Sequence, residues 1–138
     1  AYEGRYYQLR ETLCSPQPIN RPKVIIGGSG ERKTLRLVAQ YGDACNLFGS
    51  SPGEVAHKLD VLRRHCDDAG TDYDAIRKTV LARTNPTPGR GDEFVASMAD
   101  YAKLGIDTAI VMPPDGSPAR WIDGIAPVVR QLAELGGR

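Results

Sequence analysis

The sequence predicts an α/β fold in which four βα units build one parallel sheet. Short apolar runs, each followed by a turn and an amphipathic stretch of helical length, recur four times along the chain. Glycine and proline stand between these runs and stretches, as expected where strands and helices end. The chain has 138 residues, of which 41% are hydrophobic and 25% charged, and this composition is typical of a single globular domain.

Residues 1–22 precede the first unit and are predicted to be a lead-in segment. They are mostly polar and aromatic, and Pro16, Pro18 and Pro22 interrupt any helix because proline lacks a backbone donor and has a fixed φ. The repeating pattern begins only after this segment. We therefore assign residues 23–138 to one domain of four βα units.

Each of the four units has its own start and stop signals. The predicted strands cover residues 23–26, 44–48, 78–83 and 108–112. The predicted helices cover residues 31–41, 52–69, 92–104 and 117–135. Gly42, Gly70 and Gly105 end the first three helices, since glycine suits the backbone conformation that follows a helix. Pro127 lies inside the fourth helix and is expected to kink it.

Two architectures fit four βα units. A closed (βα)8 barrel has about 250 residues, so four units would form half of a TIM barrel with bare inner strand faces and two open sheet edges. We expect such a half to be completed by a second copy of the chain, as a homodimer, or by a missing half. An open doubly wound sheet of the flavodoxin-like type is instead complete with four or five strands.

The charge balance and the cysteines exclude several classes of partner. Lys and Arg number 18 against 17 Asp and Glu, a net charge of +1, so we expect no binding to nucleic acid. The apolar runs are short and the N-terminus lacks the apolar stretch of a signal peptide, so we expect no membrane contact and a cytoplasmic location. Cys14, Cys45 and Cys66 are widely spaced, which predicts free thiols and no metal site.

The strongest local feature is the glycine loop, residues 27–30, between the first strand and the first helix. It consists of Gly27, Gly28, Ser29 and Gly30. Glycines let backbone N–H groups approach a ligand, and the helix that follows adds unpaired donors, so the loop suits a phosphate. It is neither a P-loop nor a complete G-x-G-x-x-G motif, because the residues that would complete those motifs are absent. The same glycines would also serve a tight turn that binds nothing.

A second loop, residues 48–50, follows the next predicted strand and consists of Phe48, Gly49 and Ser50. The carboxyl ends of adjacent parallel strands lie side by side, so the two loops are expected to bind one anion together. Ser50 and the following Ser51 also fit the alternative role of helix N-cap.

Other polar side chains receive structural interpretations. His57 and His65 lie on the second helix, and the sequence supplies no convergent partner for them, so we expect exposed structural roles. The charged run at residues 31–33 is interpreted as a solvated face. Arg83 and Asp115 lie at the ends of the third and fourth strands and are expected near the ligand edge of the sheet.

Two runs resemble the C-terminal half of the luciferase-like flavin and deazaflavin oxidoreductases. They are Pro-Lys-Val-Ile-Ile-Gly-Gly-Ser-Gly at residues 22–30 and the stretch 34–46, with its trailing Gly42 and Asp43. The segment Tyr-Glu-Gly-Arg-Tyr-Tyr at residues 2–7 resembles the coenzyme F420-dependent members, and residues 105–110 resemble their last strand. The resemblance covers nearly the whole chain.

This resemblance implies a (βα)8 barrel and a cofactor, either coenzyme F420 or, as the alternative, FMN. It implies that the cofactor phosphate rests on backbone amides of Gly27, Gly28, Ser29, Gly30, Phe48, Gly49 and Ser50. The reaction implied is hydride transfer to a small organic substrate. Most of the family's catalytic pocket comes from the N-terminal half, which this chain does not contain, so no catalytic residue is assigned. The alternative functions are an inactive half-barrel that binds a phosphate ligand or serves a structural role, and a flavodoxin-like FMN-binding domain.

Overall fold

The structure is a computed structural model that describes residues 1–114 and 118–135. In chain order its elements are β1 (Tyr2–Glu3), β2 (Gln8–Leu9), β3 (Ile25–Gly27), α1 (Thr34–Tyr41), β4 (Ala44–Gly49), α2 (Pro52–Ala69), β5 (Arg77–Ala82), α3 (Gly91–Lys103), β6 (Thr108–Ile110) and α4 (Pro118–Leu135). The four predicted βα units are therefore present. The predicted α/β class is confirmed.

The main sheet is parallel, and its spatial order β3-β4-β5-β6 follows the chain order. Ile25 pairs with Ala44, and Ala44 in turn pairs with Arg77, so the first three strands start nearly level. A doubly wound sheet would instead reverse its strand order at a switch point. The sequential order is that of neighbouring strands in a (βα)8 barrel, so it favours the half-barrel over the flavodoxin-like alternative.

The two faces of this sheet differ in what covers them. Cys45, Leu47 and Val80 point to one face and belong to a core cluster that includes side chains from all four helices. Ile25 and Phe48 point to the other face, where they remain 54% and 58% exposed. Successive strand residues alternate between faces, so one face is packed under helices. On the other, the bare sheet face, the short Ala44 and Thr79 side chains are buried between their neighbours while the larger Ile25 and Phe48 stay exposed.

The structure moves several predicted boundaries. Helix α1 begins at Thr34 rather than at residue 31, because residues 31–33 form a turn that closes when the Leu35 amide donates to the Gly30 carbonyl at 3.0 Å. Strand β6 ends at Ile110 rather than at 112, because the Met112 amide donates to Asn85 Oδ1 at 3.1 Å. Helix α4 continues through Pro127 as one element.

The lead-in segment carries a hairpin that the sequence pattern did not predict. Strands β1 and β2 pair antiparallel, with Tyr2 opposite Leu9. The end of the segment is tied to the main sheet by an ion pair between Arg21 and Asp43, with N and O 2.7 Å apart. Division of the chain into a lead-in and a domain stays a prediction. Across residues 1–114 and 118–135, no helix is both long and apolar enough to cross a membrane.

Candidate functional site

The glycine loop leaves the carboxyl end of β3 in a conformation that requires glycine. Gly28 has φ +120°, which L side chains rarely adopt, and a Cβ there would lie 3.4 Å from Thr34 Cγ2. The Gly28 amide donates to the Asn46 carbonyl at 3.0 Å, which extends the pairing of β3 with β4. The entry to the loop is therefore fixed by the sheet.

The two predicted loops lie together, as expected from the parallel sheet, and they bond to each other. The Phe48 amide donates to Ser29 Oγ at 3.2 Å, and the Ser50 amide donates to the Phe48 carbonyl at 2.9 Å. These amides already have acceptors within the chain. The amides of Ser29 and Gly30 donate to no acceptor among the residues that the structure describes. They are the donors best placed for an external anion.

Ser29 and Gly30 also line a surface depression of about 850 Å³. Besides Ser29 and Gly30 it is lined by Glu31, Arg32, Lys33, Arg36 and Lys58. Four of these side chains are basic and one is acidic, so the depression carries a positive potential that attracts anions. The interpretation of residues 31–33 as a plain solvated face is therefore incomplete, because the turn before α1 places Arg32 and Lys33 in the lining of this depression.

Glu31 is held by three side chains of α2. Its carboxylate pairs with Lys58 Nζ and lies 3.1 Å from His57 Nε2, and its backbone carbonyl lies 2.8 Å from His65 Nε2. The hydrogen bond from Lys58 holds the pKa of Glu31 below its usual value. The expectation that His57 and His65 lack a convergent partner is wrong, because Glu31 is that partner.

The sequence contained a usable signal for this contact. Lys58 and His65 are seven residues apart, with the fully buried Leu62 between them, so they share one face of α2. The sequence could not show that α1 packs against α2. This packing brings Glu31, which lies in the turn just before α1, onto that face of α2.

The remaining predicted residues fall outside the depression. Arg83 borders a separate depression of about 340 Å³ that Gly49 and Ser50 also line, and this places it near the second loop. Ser51 is the N-cap of α2, where its hydroxyl accepts from the Glu54 amide at 3.2 Å. Asp115 lies outside the described residues.

Asp43 secures the strand that leads into the glycine loop. Its carboxylate accepts from Arg21 at 2.7 Å and from the Val24 amide at 2.8 Å. These hydrogen bonds, the one from Arg21 foremost, lower the pKa of Asp43 to about 2. The carboxylate thus links the lead-in segment, β3 and the start of β4.

Two of the three cysteines are inert by burial, whereas Cys14 is exposed. Cys45 and Cys66 are buried, and burial raises the pKa of both thiols, which keeps them protonated. In the part of the chain that the structure describes, no three His, Cys, Asp or Glu side chains are grouped to hold a metal.

The fold and site together define a parallel α/β protein with an anion-suited loop at the carboxyl edge of its sheet. The family model described as luciferase-like monooxygenase matches residues 1–102. The chain belongs to this family.

Among solved structures, the crystal structure of DmoA from Hyphomicrobium sulfonivorans is similar, with 17% sequence identity and a TM-score of 0.49. The similarity covers 72% of this chain and 22% of the DmoA chain, so this chain spans only part of the length of that relative. No curated protein matches the sequence.

Proposed function

We propose that the chain is the C-terminal half of a luciferase-like oxidoreductase and binds the phosphate of a cofactor at the glycine loop. Coenzyme F420 is the proposed cofactor and FMN the alternative. One observation carries the proposal: Ser29 and Gly30, whose amides donate to no acceptor among the described residues, line a depression together with four basic side chains. Members of the family use flavin or F420 cofactors, and both present a phosphate.

The local charge supports a multiply charged anion. Lys58 is already paired with Glu31, whereas Arg32, Lys33 and Arg36 form no ion pair among the described residues. A phosphate ester carries between one and two negative charges at neutral pH, and arginine binds such oxygens with paired donors. The three cations would therefore offset the ligand charge that two backbone amides alone leave uncompensated.

The chain's own contribution to catalysis would be to hold and orient the cofactor. The bound flavin or deazaflavin ring would supply the hydride chemistry, and a small organic substrate would exchange the hydride with it. The substrate pocket would lie in the half of the barrel that covers the bare sheet face. The runner-up function, a phosphate-ligand-binding module without catalysis, shares the same loop, and an assay of hydride transfer separates the two.

The test is a fluorescence titration of the chain with FMN and with F420. Gly28→Glu places an acidic side chain in the loop at a φ of +120°, which L residues rarely adopt, so it is expected to abolish binding both by its charge and by distorting the loop; circular dichroism checks that the rest of the fold is retained. Arg36→Glu is expected to weaken binding about tenfold or more, because a hydrogen bond to a charged group contributes about 1.5–3 kcal/mol.

The matched control is Arg64→Glu, which makes the same charge change on an exposed position of α2 outside the depression. Its titration should match that of the unmodified chain. Binding by Gly28→Glu with unchanged affinity would remove the glycine loop from the site.

We also propose that a second copy of the chain covers the bare sheet face and completes the barrel. The chain exposes 10121 Å², whereas a compact monomer of its mass exposes about 7,000 Å². The lead-in segment, whose residues are almost all exposed, accounts for part of this difference, and the sheet face with Ile25 and Phe48 is the part that a second copy would cover. An obligate homodimer interface buries about 2,000–5,000 Å² in total.

Charged residues lie at both open edges of the sheet, and each is already paired within the chain. Lys23, which precedes β3, lies 3.7 Å from Asp43, and Asp107, which precedes β6 at the opposite edge, lies 3.2 Å from Arg77. A two-fold axis along the barrel would set β6 of one copy beside β3 of the other, so these two ion pairs would face each other across both seams.

A further inference from the structure

The glycine loop is built from residues with little conformational preference of their own. Three of its four residues are glycines, and ordering glycine costs more backbone entropy than ordering any other residue. A loop that must present the Ser29 and Gly30 amides in one orientation therefore needs ties to the rest of the fold. The sheet ties its entry through Gly28 and Asn46.

The exit of the loop is tied by α2. Glu31 follows Gly30 directly, and the Glu31 clasp, which consists of Glu31, His57, Lys58 and His65, anchors this residue at two separate points. Lys58 and His57 bind the carboxylate, and His65 binds the backbone carbonyl. A carbonyl oxygen only accepts, so His65 Nε2 carries the hydrogen and donates it.

The backbone contact distinguishes this clasp from an ordinary surface ion pair. An exposed pair between two side chains contributes little to stability and leaves the backbone free. A hydrogen bond to the Glu31 carbonyl fixes the peptide plane one residue after Gly30. The Leu35 amide fixes the Gly30 carbonyl in the same way, so two successive carbonyls are held.

We propose that Glu31, Lys58 and His65 are positioning residues that set the glycine loop for a phosphate ester. This inference rests on the proposed function and assigns its site a support on α2. Lys58 acts twice, since it lines the depression and also neutralises the one carboxylate there. Without that pairing, Glu31 would repel the anion that the loop receives.

The experiment compares His65→Leu with His65→Gln. Leucine removes the donor, whereas the glutamine amide restores one. Loss of a single hydrogen bond is expected to weaken FMN binding about fivefold to tenfold in His65→Leu, and the glutamine variant should recover most of it. Asp68→Asn, on an exposed position of the same helix outside the depression, is the matched control.

A second readout needs no ligand. Amide hydrogen exchange, followed by NMR, should be faster at Ser29, Gly30 and Glu31 in His65→Leu than in the control, with the core of β4 unchanged. Equal FMN affinity and equal exchange in the leucine variant and the unmodified chain would overturn the inference. Absence of FMN and F420 binding by the unmodified chain would instead refute the proposed function, and the exchange rates would still decide whether the clasp positions the loop.

Discussion

At the scale of single residues, Asp43 is the side chain whose protonation should affect stability most clearly. Its pKa in the folded chain is about 2, below the ordinary value of 3.8, because Arg21 and the Val24 amide bind the ionised form. Because the pKa of this carboxyl is lowered in the folded chain, its ionised form stabilises the fold at pH values above the ordinary pKa of 3.8. That contribution to stability is lost as the pH falls through about 2. The chain should therefore lose stability between about pH 4 and pH 2.

Replacement of Asp43 by asparagine tests this expectation. Asp43→Asn keeps an acceptor for the Val24 amide but removes the charge that Arg21 pairs with. The variant should unfold at a lower denaturant concentration at neutral pH, and the difference should shrink as the pH falls from about 4 to 2 and vanish below that. A difference that stays constant across this range would show that Asp43 does not stabilise the fold through its charge.

At the scale of elements, α2 depends on its N-cap. The Ser51 hydroxyl accepts from the Glu54 amide, and Pro52 follows in the first turn. Ser51→Ala should lower the free energy of unfolding by about 1 kcal/mol, the usual cost of losing a serine cap. Urea unfolding followed by Trp121 fluorescence measures it. Ser50→Ala is the matched control, and equal losses in both variants would contradict a capping role for Ser51.

The elements that the sequence predicted well are those with strong local signals. Helix α2 was predicted with the bounds that the structure gives, because Pro52 and Gly70 mark its ends and an apolar stripe runs between them. Helix α1 was predicted three residues too long at its start, since the charged run 31–33 looks helical by composition. Its turn depends on a backbone bond to Gly30, which composition does not encode.

The candidate site, too, was predictable from the sequence only where its signal is local. A glycine turn after the first strand was predictable, and the φ of Gly28 requires glycine there, whereas the binding of an anion by this loop stays a prediction. The bond between Ser29 and Phe48, which occupies one predicted donor, was not predictable from spacing. The Glu31 clasp depends on the packing of two helices, and their mutual orientation follows from tertiary structure alone.

At the scale of the whole molecule, the bare sheet face is the feature that most needs a partner. Ile25 and Phe48 are more than half exposed there, and strands β3 and β6 leave open edges. Exposed apolar surface next to open strand edges favours association. The lead-in segment adds further exposed apolar side chains, with Leu13 at 96% and Ile19 at 99%.

Light scattering on a size-exclusion column measures the mass of the assembly in solution and so shows whether a second copy is bound. If a second copy closes the barrel, the mass should be twice 15.0 kDa and stay constant on dilution, because an interface of this size holds at low concentration. Ile25→Asp places a charge in the covered face and should yield monomers. Leu37→Asp makes the same change at a 42% exposed position of α1, outside that face, and should leave the dimer intact.

A monomer at every concentration, or a dimer that survives Ile25→Asp, would show that a second copy does not cover the sheet. The face would then belong to a different partner, the missing half of a barrel, and hydride transfer would have to be sought in that complex.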